Sequence, residues 1–167
     1  MTPKPNRTAV IGLGAMGYGV AQSCLRAGHE TIGIDVVPAQ MERFQSEGGL
    51  TLPLTEAAGT LDQAVVVVLN AAQLETVLFG EAALVPQLRP GAVVIACPTI
   101  APETARDLAA RTAAHGVHYL DAPISGAMVG QAMTTAPGRS CGTRAASPNR
   151  TVSNCCLLYT SPSPRDS

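Results

Sequence analysis

The chain has 167 residues, 46% of them apolar, and a formal net charge of −1. That is enough apolar material for the core of one ordinary domain, and the near-neutral balance gives no electrostatic reason for a nucleic acid or an anionic membrane as partner. Five cysteines without paired spacing specify neither a disulfide framework nor a zinc site, and Cys24 and Cys97 read as small core residues.

Residues 1–7 form a leader. Lys4 and Arg7 precede an apolar run from Ala9 to Val20, but the glycines at 12, 14, 17 and 19 argue against a secretory helix. No stretch is long and apolar enough to span a bilayer, so a cytoplasmic protein is expected. Thr8–Leu13 predicts a first strand. Ala15–Ala27 has helical spacing, with Met16, Val20, Cys24 and Ala27 on one face, and Gly28 supplies the stop. Glu30–Asp35 alternates as a second strand. Pro38 suits the first turn of a helix running to Glu47, which Gly48 and Gly49 close.

Thr51–Leu54 predicts a short third strand, and Thr55–Leu61 a short helix. Ala64–Leu69 contains four consecutive valines and predicts a strand covered on both faces, as in a parallel sheet. A helix over Ala72–Phe79, a strand over Ala92–Ala96, a helix over Ala101–His115 and a sixth strand over His118–Ala122 complete the alternation. Strands joined by crossover helices predict an α/β domain with a doubly wound parallel sheet, extending over residues 8–134. Beyond it the regular periods end. Residues 1–134 hold seven basic and eleven acidic side chains, whereas residues 135–167 hold four arginines, one acid and three of the five cysteines. The segment 135–167 is therefore expected to be a disordered tail. Its end, from Cys156 to Asp166, resembles translated sequencing-adapter DNA after out-of-frame coding sequence, the alternative being a natural tail.

The pattern Gly12-x-Gly14-x-x-Gly17 lies between the first strand and the first helix. Such glycines permit a tight turn, a close approach of a pyrophosphate to the backbone, and close helix–strand packing, with the helix N-terminus facing the phosphates. Gly12, Gly14 and Gly17 are the residues that this reading assigns to the cofactor. Asp35 stands eighteen residues past Gly17, at the end of the second strand, where a carboxylate accepts hydrogen bonds from the adenosine ribose. It would repel a 2′-phosphate, so the pattern predicts a Rossmann-type NAD site in preference to NADP. Asn70 and Thr99 follow the next two long strands, at the carboxyl edge where open parallel sheets bind ligands. Thr99 reads equally well as a nicotinamide-ribose contact or as a start signal for the following helix. Asp121-Ala-Pro-Ile-Ser-Gly126 leaves the last strand at the same edge. There Ser125 and Gly126 are suited to a substrate carboxylate, and Asp121 to ordering the turn. His29, His115 and His118 lack an acidic or cysteine partner at catalytic spacing and read as structural. No metal site is expected.

Together, Gly12-Leu-Gly-Ala-Met-Gly17, Arg26-Ala-Gly-His29, Pro98-Thr-Ile100 and Asp121-Ala-Pro-Ile-Ser-Gly126 resemble the β-hydroxyacid dehydrogenases, the family of 3-hydroxyisobutyrate dehydrogenase. Asn70-Ala-Ala-Gln73 with Val77-Leu-Phe-Gly-Glu81 looks most like its L-threonate dehydrogenase branch. The resemblance covers about residues 8–134. It implies NAD-dependent oxidation of a small hydroxy acid, with a lysine as proton acceptor and an all-helical C-terminal domain that closes the site and dimerises. By motif position it implies Gly12, Leu13, Gly14, Ala15, Met16, Gly17, Asp35, Asn70 and Thr99 as cofactor contacts, and Ser125 and Gly126 as substrate contacts. Two departures stand out. Ala127 replaces a second glycine, and the only lysine is Lys4, so the Gly-x-x-x-Lys helix is missing. The sequence is thus expected to be a truncated coenzyme-binding portion without a catalytic residue, from a homo-oligomeric parent. A stand-alone NAD-binding module and a 3-hydroxyisobutyrate or semialdehyde-type dehydrogenase are the alternatives.

Overall fold

A computed structural model describes residues 6–124. Ser125, Gly126, Ala127 and the segment 135–167 lie outside the described residues. The elements run in the order β1 (Arg7–Ile11), α1 (Ala15–Arg26), β2 (Glu30–Ile34), α2 (Pro38–Ser46), α3 (Leu54–Ala57), β3 (Gln63–Val66), α4 (Ala71–Phe79), β4 (Val93–Ala96), α5 (Pro102–Ala113) and β5 (His118–Asp121). The five strands form one parallel sheet in the order β2-β1-β3-β4-β5. From β1 the chain steps to β2 on one side, then returns to β3 on the other. The strand order therefore reverses at the carboxyl end of β1, where such sheets open a crevice.

Strand periodicity assigns each side chain to a face. Val10 and Val65 point into a cluster with Leu13, Tyr18, Val20 and Phe44, and so lie beneath α1 and α2. Ile11, Val66 and Val94 point the other way, toward Leu74 and Leu78 of α4 and Leu108 of α5. Helices cover both faces, which is the doubly wound α/β, Rossmann-type arrangement the sequence predicts. Cys24 and Cys97 are buried, in keeping with core positions.

Where structure and sequence pattern part, the causes are local. Thr51–Leu54 forms no strand. Leu50 alone bridges Ile32, donating to the Thr31 carbonyl at 3.0 Å and accepting from the Gly33 N–H at 2.8 Å. Pro53 then ends any ladder, because it has no N–H to give, and α3 starts directly after it. The helix expected over Thr55–Leu61 is split into α3 and a 3₁₀ turn, Ala58–Thr60. β3 stops at Val66 although the valines continue. Val67 makes one more bond, to the Ile11 carbonyl at 2.8 Å, and beyond it β1 has turned away at Gly12. The buried residues of α1 are Gly17, Tyr18, Val20, Ala21, Ser23 and Cys24, whereas Met16 is 46% exposed and Ala27 lies past the helix end. Met16 sits in the first turn, at the carboxyl edge of the sheet, where little lies beneath it to pack against.

Phe44 is completely buried and depends on two missing side chains. A Cβ at Gly33 would lie 2.5 Å from its ring, and one at Gly49 2.2 Å. The ring meets Tyr18 edge-on, with centroids 6.0 Å apart, and so ties α2 to α1. Emptying this site forfeits both transfer energy and packing. Phe44→Ala is expected to cost about 3–5 kcal/mol, read as a lowered urea midpoint.

Candidate functional site

The carboxyl end of β1 is a crossing of backbones. Gly12 has φ +93°, and a Cβ there would stand 2.1 Å from the Val67 carbonyl oxygen. Its N–H donates to the Ile34 carbonyl at 2.8 Å, which ties the turn to the end of β2. At Gly17 a Cβ would lie 1.7 Å from the Gly12 carbonyl oxygen. Both glycines are demanded by packing. Gly14 differs, because a Cβ there would meet nothing within 4 Å. It is the N-cap of α1, exposed like Ala15 and Met16, and the space beside it is open.

The first intrahelical bond of α1 runs from the Tyr18 N–H to the Gly14 carbonyl, at 2.9 Å. No side chain caps the N–H groups ahead of it, and the first turn contains no acid. Those donors and the positive end of the helix dipole face outward together, an arrangement that favours an anion.

Asp35 follows β2 directly and reaches this turn. Its Oδ2 accepts from the Leu13 N–H at 2.5 Å, and its Oδ1 accepts from the Val37 N–H at 2.8 Å. The predicted carboxylate and glycine turn therefore meet. The Leu13 side chain is fully buried in the α1/α2 core, so only its backbone belongs to the site.

Asn70 lies beyond β3 and caps α4, its Oδ1 accepting from the Gln73 N–H at 2.9 Å. Gln73 reciprocates by accepting from the Leu69 N–H at 2.9 Å. The sequence reading missed this reciprocal cap, although Asn70-x-x-Gln73 carries its signal. Thr99, beyond β4, is exposed and does not start a helix, because Ala101 is the N-cap of α5 and Pro102 occupies its first turn. The segment after β5 runs beside it, the Ala122 N–H on the Ala96 carbonyl at 2.8 Å and the Ile124 N–H on the Cys97 carbonyl at 3.1 Å. Asp121, expected to order this turn, instead has its Oδ1 buried without a hydrogen-bond partner among the described residues. Burial pushes its pKa up. The hydroxyl of Tyr119, two residues earlier, is likewise buried and unpartnered, and desolvation with the neighbouring Asp121 charge raises its pKa.

Missed as well was a set of exposed apolar side chains around this edge: Val36 at 96%, Leu69 at 84%, and Val37 and Met16 near half. Val36 and Leu69 follow β2 and β3, the two strands that flank β1. Among the described residues there is no group of three His, Cys, Asp or Glu able to hold a metal, and no helix long and apolar enough to cross a membrane.

The family model for the NAD binding domain of 6-phosphogluconate dehydrogenase matches residues 7–146. The chain is 44% identical over 118 residues to an L-threonate dehydrogenase of Cupriavidus necator, covering 70% of this chain and 40% of that protein. It is 41% identical over 120 residues to the L-threonate dehydrogenase of Pectobacterium atrosepticum, covering 71% and 40%. Among solved structures, a 3-hydroxyisobutyrate dehydrogenase from Salmonella typhimurium superposes with a TM-score of 0.69 at 39% identity, over 74% of this chain and 44% of that one. The chain thus spans about 40% of the length of the curated relatives it matches.

The buried carboxyl of Asp121 has a consequence for stability. With its pKa raised above the ordinary 3.8, the folded chain keeps a proton that the unfolded chain has already released. The stability so contributed is present in acid and is lost as pH rises through the raised value. Asp121→Asn removes that loss. Its urea midpoint should exceed that of the parent chain at neutral pH, and the two should converge below about pH 4.

Proposed function

The chain belongs to the family of the NAD binding domain of 6-phosphogluconate dehydrogenase, and on that premise we propose that it binds NAD, in preference to NADP, as the coenzyme-holding part of an enzyme that oxidises the hydroxyl of a small hydroxy acid, L-threonate first among them. The observation that carries this reading is the uncapped N-terminus of α1, open beside Gly14 and joined through Leu13 to the carboxylate of Asp35.

Each feature has a part. The backbone from Gly12 to Gly17, with Ala15 and Met16 at its exposed rim, receives the pyrophosphate, and Gly14 leaves room for it. Asp35 accepts from the ribose hydroxyls, charge-assisted bonds worth about 1.5–3 kcal/mol each. A 2′-phosphate would meet that negative charge with no cation from the segment after Asp35 to balance it. Residues 36–42 contain no arginine or lysine, and Arg43 is held 4.2 Å over the Tyr18 ring and paired with Glu47 at 3.6 Å. Val36 and Leu69 offer apolar surface to the adenine. Asn70 spends its Oδ1 on the α4 cap and keeps its amide N–H groups for the coenzyme, while Thr99 presents a hydroxyl to the nicotinamide ribose. Ser125 and Gly126 take the substrate carboxylate.

When bound, NAD supplies the hydride acceptor; the chain's own residues hold it in place. A proton acceptor is the missing part. Lys4 is the single lysine and precedes β1, with no lysine following Gly126. Loss of a general base costs about 10²–10⁴-fold in rate, so coenzyme binding without turnover is the activity proposed for these 167 residues. The same reading gives a cytoplasmic protein and a parent enzyme that is a homo-oligomer.

Calorimetric titration tests this. NAD⁺ should bind, NADP⁺ should bind more weakly, and L-threonate should produce no NADH. Tighter binding of NADP⁺ or no binding of NAD⁺ would overturn the proposal. Gly14→Ala provides a sharper check. With no neighbour for the new methyl, the urea midpoint should stay within about 0.5 kcal/mol of the parent, while NAD⁺ affinity should fall at least about tenfold. Gly17→Ala should instead destabilise the fold by about 1–3 kcal/mol, since its methyl strikes the Gly12 carbonyl.

A further inference from the structure

We propose that Asp35 is a positioning residue as well as a ribose ligand: its carboxylate holds the glycine turn in the phosphate-accepting shape before any coenzyme arrives. This rests on the coenzyme reading above and extends it.

The turn has little else to define it. Gly12 adopts a left-handed conformation and Gly14 has no side chain, so two of its three residues are the most permissive available. Two consecutive N–H groups tie it to two consecutive residues at the end of β2. The Gly12 N–H goes to the Ile34 carbonyl at 2.8 Å, and the Leu13 N–H goes to Asp35 Oδ2 at 2.5 Å. The first bond continues the strand ladder. The second is charge-assisted and sets the peptide plane between Gly12 and Leu13, the plane that aims the chain into Gly14 and the first turn of α1.

The carboxylate is itself held. Its other oxygen accepts from the Val37 N–H at 2.8 Å, so both oxygens are engaged by main-chain donors. Leu13 anchors from the opposite side, fully buried in the cluster that contains Phe44, and a Cβ at Gly33 would come within 2.9 Å of its Cδ1. An ionised carboxylate has about four lone-pair sites, so two remain after these two bonds. Ribose hydroxyls can therefore bind while the turn contact persists. Only Asp satisfies two main-chain donors here and keeps acceptors in reserve. An Asn has one oxygen, and its NH₂ would oppose one of the two N–H groups.

This account and a purely ribose-selecting role differ in outcome. If Asp35 only sorted coenzymes, removing it would weaken NAD⁺ and relieve the repulsion of NADP⁺. If it also shapes the turn, removing it weakens both, because both present the same pyrophosphate. The experiment uses the full chain with Asp35→Ala and Asp35→Asn, hydrogen exchange without coenzyme, and calorimetric titration with each dinucleotide. In Asp35→Ala the Leu13 amide should exchange at least about tenfold faster while amides of β3 and β4 keep their rates, and affinities for NAD⁺ and NADP⁺ should each fall at least about tenfold. Asp35→Asn, which retains one acceptor, should preserve Leu13 protection better than Asp35→Ala. Global loosening would quicken β3 and β4 as well and count against the proposal. Unchanged Leu13 exchange in both variants, or NADP⁺ binding more tightly than to the parent, would overturn it. Should the parent chain bind neither dinucleotide, the coenzyme reading fails, and Leu13 exchange still decides whether Asp35 holds the turn.

Discussion

Three backbone segments meet at the carboxyl end of β1 with no space for a side chain between them. The Gly12 turn crosses the Val67 carbonyl on one side and receives the start of α1 at Gly17 on the other. This contact is what allows α1 to begin immediately after β1 and to lie flat on the sheet, so that its first-turn N–H groups emerge at the strand-order reversal. The position of these uncapped donors is thus a consequence of close packing. A larger residue at Gly12 or Gly17 would push the helix away and take the donors with it.

Packing beneath the site follows the same logic at a second level. Phe44 occupies a gap left by Gly33 on β2 and Gly49 after α2, and it braces Leu13 and Tyr18 within one cluster. The turn residues above are permissive; the core below is not. That contrast lets a flexible sequence such as Gly-Leu-Gly hold one conformation, because Leu13 is anchored in a close-packed interior.

The two edges of the sheet are built for different purposes. At the amino edge, polar groups are paired across strands. Arg7 meets Glu30 at 2.9 Å, the Arg7 N–H donates to Asp62 at 2.7 Å, and Arg89 joins Asp62 and the Leu61 carbonyl. Exposed ion pairs of this kind contribute little individually, and they tie the starts of β1, β2 and β3 to one another. The carboxyl edge is the opposite, with uncapped donors on α1, exposed Val36 and Leu69, and a buried Asp121 oxygen without a partner among the described residues. Uncapped helix donors and exposed apolar side chains thus fall together at the carboxyl edge, the edge at which open parallel sheets generally take ligands.

Much of this was legible from residue order alone. The alternation of apolar runs and helical spacing determined the α/β class, because a parallel sheet needs helical crossovers and two covered faces, and both leave period and composition signals. The glycine spacing also foretold the tight turn after β1, since the demand for absent side chains is written directly in the sequence. Tertiary structure decided what depends on the neighbours. Thr51–Leu54 had a strand's composition but formed no strand, Leu50 just before it alone bridging to β2, and the valine run stopped pairing where β1 turned away. Met16 looked like a core residue of α1 and is exposed, because its turn stands at the edge of the sheet. The joint between Asp35 and Leu13 belongs to the same class. Its two residues are 22 positions apart, and no local pattern records that the end of one strand and the turn after another are brought within a hydrogen bond of each other.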